Sequence, residues 1–375
     1  MNPGFDRLKE TIIETGLCTR CGGCQASCPV DAISFTARGV ELTGECISCG
    51  NCVAICPGGG IDMASHERRL FKKSRKSGFG NRLGIYQKKE QLKAGDEEVF
   101  RSGYTGGRVS AVLIHALDKG FIDAALLTDW SGTGDLSIGK GVIARTREEV
   151  LSAASSKYVF TPVLNLLKDI RDDSSVKSAA LVGLPCHLHA FRKMEVHKGT
   201  RDLTSKVTYL IALNCGAANL DEEGWGGLIE ELTGVNRSDM AGFSAEKISS
   251  AVVRFDVTRR DGKIIKKKIP LTRYLKKILE KGVWPRCKLC PDYSGELSDI
   301  TFGAPYIRTR KGIDLVESAK NSNDLVRSST KHVLVQSLTD LTISVRKRSR
   351  ARKNIRKRKR EGQPYPDFSK SGEKG

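Results

Sequence analysis

The sequence predicts an α+β protein in two unequal parts. Three observations carry that expectation. Eight of the twelve cysteines fall before residue 57, in two copies of one spacing. Beyond residue 100, apolar runs of strand length alternate with stretches of helical periodicity, as in a mostly parallel, helix-covered sheet. Further on, Ala251–Val257 and Lys263–Ile269 flank Arg259-Arg260-Asp261-Gly262, an Asp-Gly hairpin, so the larger part also carries antiparallel strands.

The first element is set by its cysteines. They read Cys18, Cys21, Cys24, Cys28-Pro29 and then Cys46, Cys49, Cys52, Cys56-Pro57. Both runs are C-x2-C-x2-C-x3-C-P, the spacing of a bacterial-type ferredoxin with two 4Fe–4S clusters. Three thiolates two residues apart on a tight loop converge on one cluster, and the fourth reaches across to the other. The expected sets are therefore Cys18, Cys21, Cys24 and Cys56, and Cys46, Cys49, Cys52 and Cys28. Gly22, Gly23 and Gly50 keep the loops small. Neither a disulfide framework nor zinc sites predict this doubled spacing.

At 375 residues the chain suits about two domains. The ferredoxin-like domain takes residues 1–65, and residues 66–100 read as a basic, glycine-containing connector. Residues 101–340 form the larger mixed α/β core, and 341–375 a basic C-terminal tail. In the core, Val109, Val112, Leu113, Ala116 and Leu117 share one helical face that ends at Gly120. Phe121–Thr128 and Gly141–Arg145 are short strands, and Thr146-Arg147-Glu148-Glu149 is a capping box. Pro162–Asp173 is a helix. Strands Ala179–Leu184 and Val207–Leu213 run into Pro185-Cys186 and Asn214-Cys215, with a helix over His187–Met194 between them. In such sheets, ligands gather beyond the carboxyl ends of the strands, where both cysteines fall.

Four cysteines remain: Cys186, Cys215, Cys287 and Cys290. The last two form a C-x2-C after the helix Thr272–Lys281, between Pro285 and Pro291. Four thiolates suffice for a third 4Fe–4S cluster or a structural zinc, and spacing leaves both open. A thioredoxin-like pair is disfavoured, because Cys287 does not open a helix after a strand. His187 and His189 flank Cys186, as alternative ligands or as satisfied polar groups.

The segments Val182-Gly183-Leu184-Pro185-Cys186-His187-Leu188-His189-Ala190-Phe191-Arg192-Lys193-Met194 and Arg286-Cys287-Lys288-Leu289-Cys290-Pro291-Asp292-Tyr293-Ser294-Gly295-Glu296-Leu297-Ser298-Asp299-Ile300 resemble the family of coenzyme F420 hydrogenase/dehydrogenase beta subunits. Gly106-Gly107, Ser156-Lys157-Tyr158, Asn214-Cys215 and Arg352-Lys353-Asn354-Ile355 fall in family order. The resemblance covers residues 100–366. It implies a flavin-binding domain with FAD and one 4Fe–4S cluster held by Cys186, Cys215, Cys287 and Cys290, exchanging hydride with coenzyme F420. The chain departs from the commoner family text at His187, where Gln usually follows Pro-Cys. A ferredoxin fused at the front is more similar to the electron-input subunit of membrane-linked F420 dehydrogenases than to the hydrogenase subunit. Related hydroxymethyl-chlorophyll reductases offer a rival substrate.

Hydride brings two electrons together, whereas an iron–sulfur cluster takes one, so a flavin is expected between them. The phosphate site is expected at Thr105, Gly106 and Gly107, before a helix N-terminus. Ser155, Ser156, Lys157 and Tyr158 offer hydroxyls and a cation, and Pro185 adjoins the cluster. The competing reading of Gly106-Gly107 is a flexible lead-in to the helix. No G-x-G-x-x-G follows a strand, so a nicotinamide site is not supported. No catalytic residue is singled out.

The net charge is +20, and residues 346–360 hold eleven of the 63 basic residues and no acid. With no aromatic interleaving, the block reads as a solvated basic helix rather than a nucleic-acid arm. Docking to an acidic protein or an anionic membrane face is the alternative. No apolar run approaches the roughly 20 residues that span a bilayer, and no signal peptide is evident. Twelve unoxidised thiols also ask for a reducing compartment, so a cytoplasmic protein is expected, with peripheral attachment to the inner membrane face as a variant. The expected partners are coenzyme F420, and ferredoxin or a membrane-bound dehydrogenase complex. The alternative class is a non-enzymatic iron–sulfur subunit that only conducts electrons.

Overall fold

The structure is a computed structural model that describes all residues except 1–3, 37–38, 76–81, 104–105, 131–138, 155–156, 158, 217–221, 248–251, 282, 304–305, 329 and 369–375. The N-terminal module holds α1 (Phe5–Leu8), α2 (Gly23–Ser27), the hairpin of β1 (Ile33–Thr36) and β2 (Gly39–Leu42), and α3 (Asn51–Ala54). Helix α4 (Met63–Phe71) leads out of it, capped by Asp62, whose carboxylate accepts the Ser65 N–H.

The core then runs through β3 (Lys88–Lys89), β4 (Leu92–Ala94), α5 (Glu97–Ser102), α6 (Arg108–Asp118), β5 (Ala124–Trp130) and β6 (Gly139–Ala144). It continues with α7 (Arg147–Ser152), α8 (Leu166–Asp172), β7 (Ala179–Gly183), α9 (Pro185–Val196) and β8 (Val207–Leu213). Helix α10 (Glu222–Thr233), the strands β9 (Met240–Lys247), β10 (Val252–Arg259) and β11 (Ile264–Pro270), and α11 (Leu271–Lys281) form a side unit. It has its own apolar core around Trp225, Phe243 and Phe255. The chain closes with β12 (Ile300–Phe302), β13 (Tyr306–Ile307), α12 (Arg310–Asn321), β14 (Leu325–Arg327) and α13 (Thr330–Arg360).

Seven strands make the main sheet, in the order β3-β13-β12-β8-β7-β5-β6. The sheet is less parallel than its apolar runs suggest. Only β12, β8, β7 and β5 are parallel, while β6, β13 and β3 are antiparallel. The reason is connection length. A parallel return needs about a dozen residues or more. The chain gives β5–β6 eight residues and β12–β13 three, both short of that.

The central strands are apolar on both faces, with side chains dividing by a period of two. Ala125, Leu127, Ala180, Val182, Tyr209 and Ile211 face α6 and α12. Ala124, Leu126, Ala179, Leu181, Leu210 and Ala212 face α8 and α9. Cys21, Ala26 and Ile55 of the N-terminal module join that second layer, so the module packs on the α8/α9 side.

The segments that read as connector and tail are both built into the fold. Strand β3 pairs with β13, and β4 with β14. Helix α13 docks through Ser344, Lys347, Ala351 and Ile355, of which Ala351 is fully buried and Ile355 joins the ferredoxin core. Past it, Asp367 bridges Gly60, and Phe368 packs on Ile61 and Leu297. Among the described residues, no helix is long and apolar enough to cross a membrane.

Candidate metal centres and the strand-end site

The two cysteine loops of the module share one backbone plan. Arg20 and Ser48 sit at φ 54° and 56°, and Gly22 and Gly50 at 83° and 77°. Each glycine caps the short helix that follows, α2 or α3, and turns the next cysteine inward. Cys18, Cys21, Cys24 and Cys56 line one cavity, walled by Leu8, Ile12 and Ile55. Cys28, Cys46, Cys49 and Cys52 line a second, walled by Ala32, Ile33 and Ile47. The fourth cysteine of each run thus lies with the other run's triplet.

Backbone N–H groups already point at the sulfurs. Arg20 donates to Cys18 Sγ at 3.4 Å, Gly58 to Cys56 Sγ at 3.4 Å, and Ala32 to Cys28 Sγ at 3.3 Å. Burial pushes the Cys18 thiol up to about 12 and those of Cys52 and Cys56 up to about 11, with neighbouring cysteines adding to it. Four thiolates in such a space need positive charge at their centre. Four cysteines lining one cavity are the donor set that a 4Fe–4S cluster takes.

The third quartet is assembled by the main sheet. Strand β7 ends in Leu184, Pro185 takes the first position of α9, and Cys186 follows on its first turn. Cys215 follows β8, its N–H donating to Tyr293 O at 2.8 Å. Cys287 and Cys290 lie on and after a 3-10 turn opened by Pro285. These four line one cavity with Thr19, Phe160, Pro185, His189, Arg286 and Lys347. Burial pushes the Cys287 thiol up to about 12.

Fixed positive charge stands beside this quartet. Lys347 and Arg286 are 2% and 3% exposed. Burial opposes the Lys347 ammonium, yet the surrounding cysteines and Asp292 hold its pKa above the usual range. Asp292 is held far below the usual carboxylate range against its own burial, by His189 Nε2 at 3.0 Å and by Lys347. His187 turns away from the sulfurs. Its Nδ1 accepts the Leu184 N–H at 3.2 Å, and burial lowers its pKa to about 4. Gln at the third position of a helix makes the same backward bond.

Thr19 lines both the third cavity and the first. The contact between the two is clamped. Arg20 lies 4.4 Å from the Trp284 ring centroid and 5.0 Å from that of Phe160. Trp284 Nε1 donates to Cys18 O at 2.9 Å, and Lys193 Nζ to Cys56 O at 2.6 Å. At the far end Cys49 is exposed, among Val30, Leu42 and Ile47 at 46%, 39% and 57%.

The expected flavin residues fare less evenly. Thr105, Ser155, Ser156 and Tyr158 lie outside the described residues. A Cβ on Gly107 would meet Val99 O at 1.9 Å, and one on Gly106 the Phe100 ring at 3.1 Å. Gly107 is therefore required by the α5 backbone crossing the turn, while Gly106 sits at φ 78°, a left-handed position that favours glycine. Lys157 Nζ donates to Ala153 O at 2.7 Å and Ala154 O at 2.5 Å, closing α7.

Sequence reasoning missed a polar group at the strand ends. Tyr293 OH donates to Asp340 Oδ1 at 2.7 Å, and Asn214 Nδ2 to Tyr293 OH at 3.1 Å. Arg108 reaches Gly303 O at 3.4 Å, and burial lowers its pKa to about 10. Tyr306 is fully buried, and its hydroxyl and Asn214 Oδ1 lack a hydrogen-bond partner among the described residues. Buried polar atoms of this kind suit a ligand with polar edges. Asn214 beside Cys215 was the one available signal.

Residues 91–168 and 176–340 match the N-terminal and C-terminal parts of the coenzyme F420 hydrogenase/dehydrogenase beta subunit, and residues 10–57 match a 4Fe-4S dicluster domain. The coenzyme F420 hydrogenase subunit beta of Methanococcus voltae is 27% identical over 299 residues, covering 76% of this chain and 99% of that one. An F420H2 dehydrogenase subunit of Methanosarcina mazei is 24% identical over 294 residues, covering 78% of this chain and 77% of that protein. A coenzyme F420-dependent sulfite reductase of Methanocaldococcus jannaschii is 25% identical over 341 residues, covering 84% of this chain and 47% of the reductase. In fold, the chain is similar to one from the F420-reducing [NiFe] hydrogenase complex of Methanosarcina barkeri. The TM-score is 0.62 at 22% identity, covering 77% and 98% of the two chains.

Proposed function

This chain belongs to the family of coenzyme F420 hydrogenase/dehydrogenase beta subunits, and we propose that it is an F420-dependent oxidoreductase with its own outlet for single electrons. The relatives' names indicate an oxidoreductase role. The finer reading is hydride uptake from reduced coenzyme F420 at the strand ends, and electron passage through three 4Fe–4S clusters to ferredoxin or a membrane-bound dehydrogenase complex. The observation that carries it is the succession of the three quartets. Thr19 is shared by the core and first cavities, and the second opens at Cys49.

FAD, when bound, accepts hydride and releases electrons one at a time. The residues proposed to hold it are Asn214, Tyr306 and Arg108, with Pro185, which lines the core quartet's cavity, and Ser155, Ser156 and Tyr158 as further candidates. Lys347 and Arg286 hold positive charge at the core quartet. Arg20 and Trp284 keep the first loop pressed against it. The apolar side chains of Val30, Leu42 and Ile47 surround the exposed Cys49 at the outlet of the outer quartet.

Mixing the purified protein with reduced F420 and a viologen acceptor tests the proposal. Regained F420 absorbance, with about one flavin and twelve irons per chain, is the expected result. One observation favours a second reading: Gly106, Gly107 and Lys157 all serve the chain itself. A subunit that only conducts electrons would hold the iron, lack flavin and leave reduced F420 unchanged.

A further inference from the structure

Helix α13 carries two different faces. Ser344, Lys347, Arg348, Asn354 and Arg358 point into the protein. Their partners are the carbonyls of Arg82, Cys215, Lys288 and Thr15, and Arg348 also pairs with Glu296. This stripe accounts for only part of the charge. On the neighbouring flank, Arg352, Lys353, Arg356, Lys359 and Arg360 line a groove of about 920 Å³ whose other wall is Arg82. No acidic side chain among the described residues lines it. Among the described residues none of Lys353, Arg356, Lys359 and Arg360 has a carboxylate partner, and Arg82 Nε has no acceptor.

That arrangement is unfavourable as it stands. Lys353 and Arg356, Arg356 and Lys359, and Arg356 and Arg360 are three or four residues apart on one helix, where like charges repel. Attraction to the helix's negative end accounts for the last turn only. The stripe begins more than one turn earlier and is held because the opposite face is docked.

We propose that this groove is the docking site for a carboxylate-rich segment of a partner protein. From Val345 to Arg360 the helix rises about 22 Å, the length of roughly six or seven extended residues. A single extended chain follows the line of cations along α13 into the concavity closed by Arg82, whereas a flat bilayer or a wide duplex meets only its rim. Among the described residues the lining has no aromatic side chain to stack a base, which disfavours single-stranded nucleic acid. Guanidinium groups on one stripe match carboxylates two by two. The helix that carries the groove is docked on the ferredoxin module by its other face, where Arg358 donates to Thr15 O and Ile355 lies in the ferredoxin core. A partner seated in the groove thus lies one helix away from that module.

The test reads binding without turnover, so it succeeds or fails apart from the hydride reading. Fluorescein-labelled octaglutamate is titrated with the full-length, cluster-loaded protein at low and raised salt. The groove variant carries Lys353→Gln, Arg356→Gln and Lys359→Gln, all exposed positions. The control carries Lys266→Gln, Lys267→Gln and Lys268→Gln on β11, which removes the same net charge elsewhere. The groove variant should bind about tenfold more weakly while the control binds as the parent does. Absorbance of the clusters confirms that each variant is folded, and a Lys359→Gln single variant gives a smaller loss if the triple is unstable. Equal losses in groove variant and control would mean that the overall field attracts the peptide, and the site would fall. It would fall equally if the parent did not bind octaglutamate. Tighter binding of oligothymidylate or phosphatidylglycerol vesicles than of the peptide, abolished in the groove variant, would assign the groove to another class of partner.

Discussion

The ammonium of Lys347 donates to the carbonyl oxygen of Cys215 at 2.7 Å, and to that of Asp292 at 2.5 Å. A residue from the most basic stretch of the chain thus ends as a buried cation against the core cysteine quartet. Its raised pKa keeps it charged throughout the neutral range, so its influence on the quartet does not vary with pH there.

Lys347→Met should lower the midpoint potential of one cluster and leave the other two unchanged. Adding an electron makes a cluster more negative, and a nearby fixed positive charge favours that state. A tenfold change in the one-electron equilibrium is about 59 mV. Potentiometry followed by electron paramagnetic resonance measures this, and three unaltered potentials would remove Lys347 from any tuning role.

Cys290→Ser should reduce the iron content from about twelve to about eight per chain, with the ferredoxin signals retained. Eight irons and one zinc in the parent would instead make the core quartet structural. Loss of the ferredoxin signals in the variant would show that the sets exchange ligands.

Gly22→Ala is expected to separate the first loop from the core. Gly22 sits at φ 83°, and a Cβ there would lie 2.4 Å from Pro162 O, a backbone atom that cannot turn aside. The left-handed conformation alone costs about 1–2 kcal/mol for a residue with a side chain. Faster loss of iron from the first quartet under mild urea is the readout, and parent-like retention would contradict the proposed contact.

His66 and His187 give a pH dependence of definite sign. Burial lowers each from 6.5 to about 4, and for His66 the nearby Arg69 and Arg192 add to it. Below pH 6.5 the unfolded chain binds protons that the folded one refuses. Stability is therefore complete above about 6.5 and falls as the pH drops towards about 4, by roughly 3 kcal/mol for each histidine. His187→Gln keeps the bond to the Leu184 N–H and should flatten about half of this slope in urea midpoints. An unchanged slope would show that His187 does not contribute.

The ferredoxin loops were legible because their information is local. Cysteine spacing, a glycine at each left-handed position and a following proline specify the loop without reference to the rest of the chain. The crossing of Cys28 and Cys56 between sets follows from the same spacing. Cys186 and Cys215 were legible as strand ends because parallel strands buried on both faces read as unbroken apolar runs. Residues 346–360 were legible as a basic helix, but the docking of α13 was not. Its docked stripe is Ser344, Lys347, Arg348, Asn354 and Arg358, which bury their stems and give their polar tips to carbonyls, so no apolar periodicity marks the buried face. The strand-end group escaped for a different reason. Asn214, Tyr293, Tyr306 and Asp340 are far apart in sequence and meet only once the sheet is formed.

The bridge between Gly60 and Asp367, with Arg358 donating to Thr15 O, couples the ferredoxin module and the core quartet through one helix. Lys347 reaches the core quartet from α13, and residues 358–367 return to the module. Loosening α13 therefore uncovers the core sulfurs on the Lys347 side and frees the strap over the module in a single local opening, so a chelator or oxidant gains access to both at the same free energy.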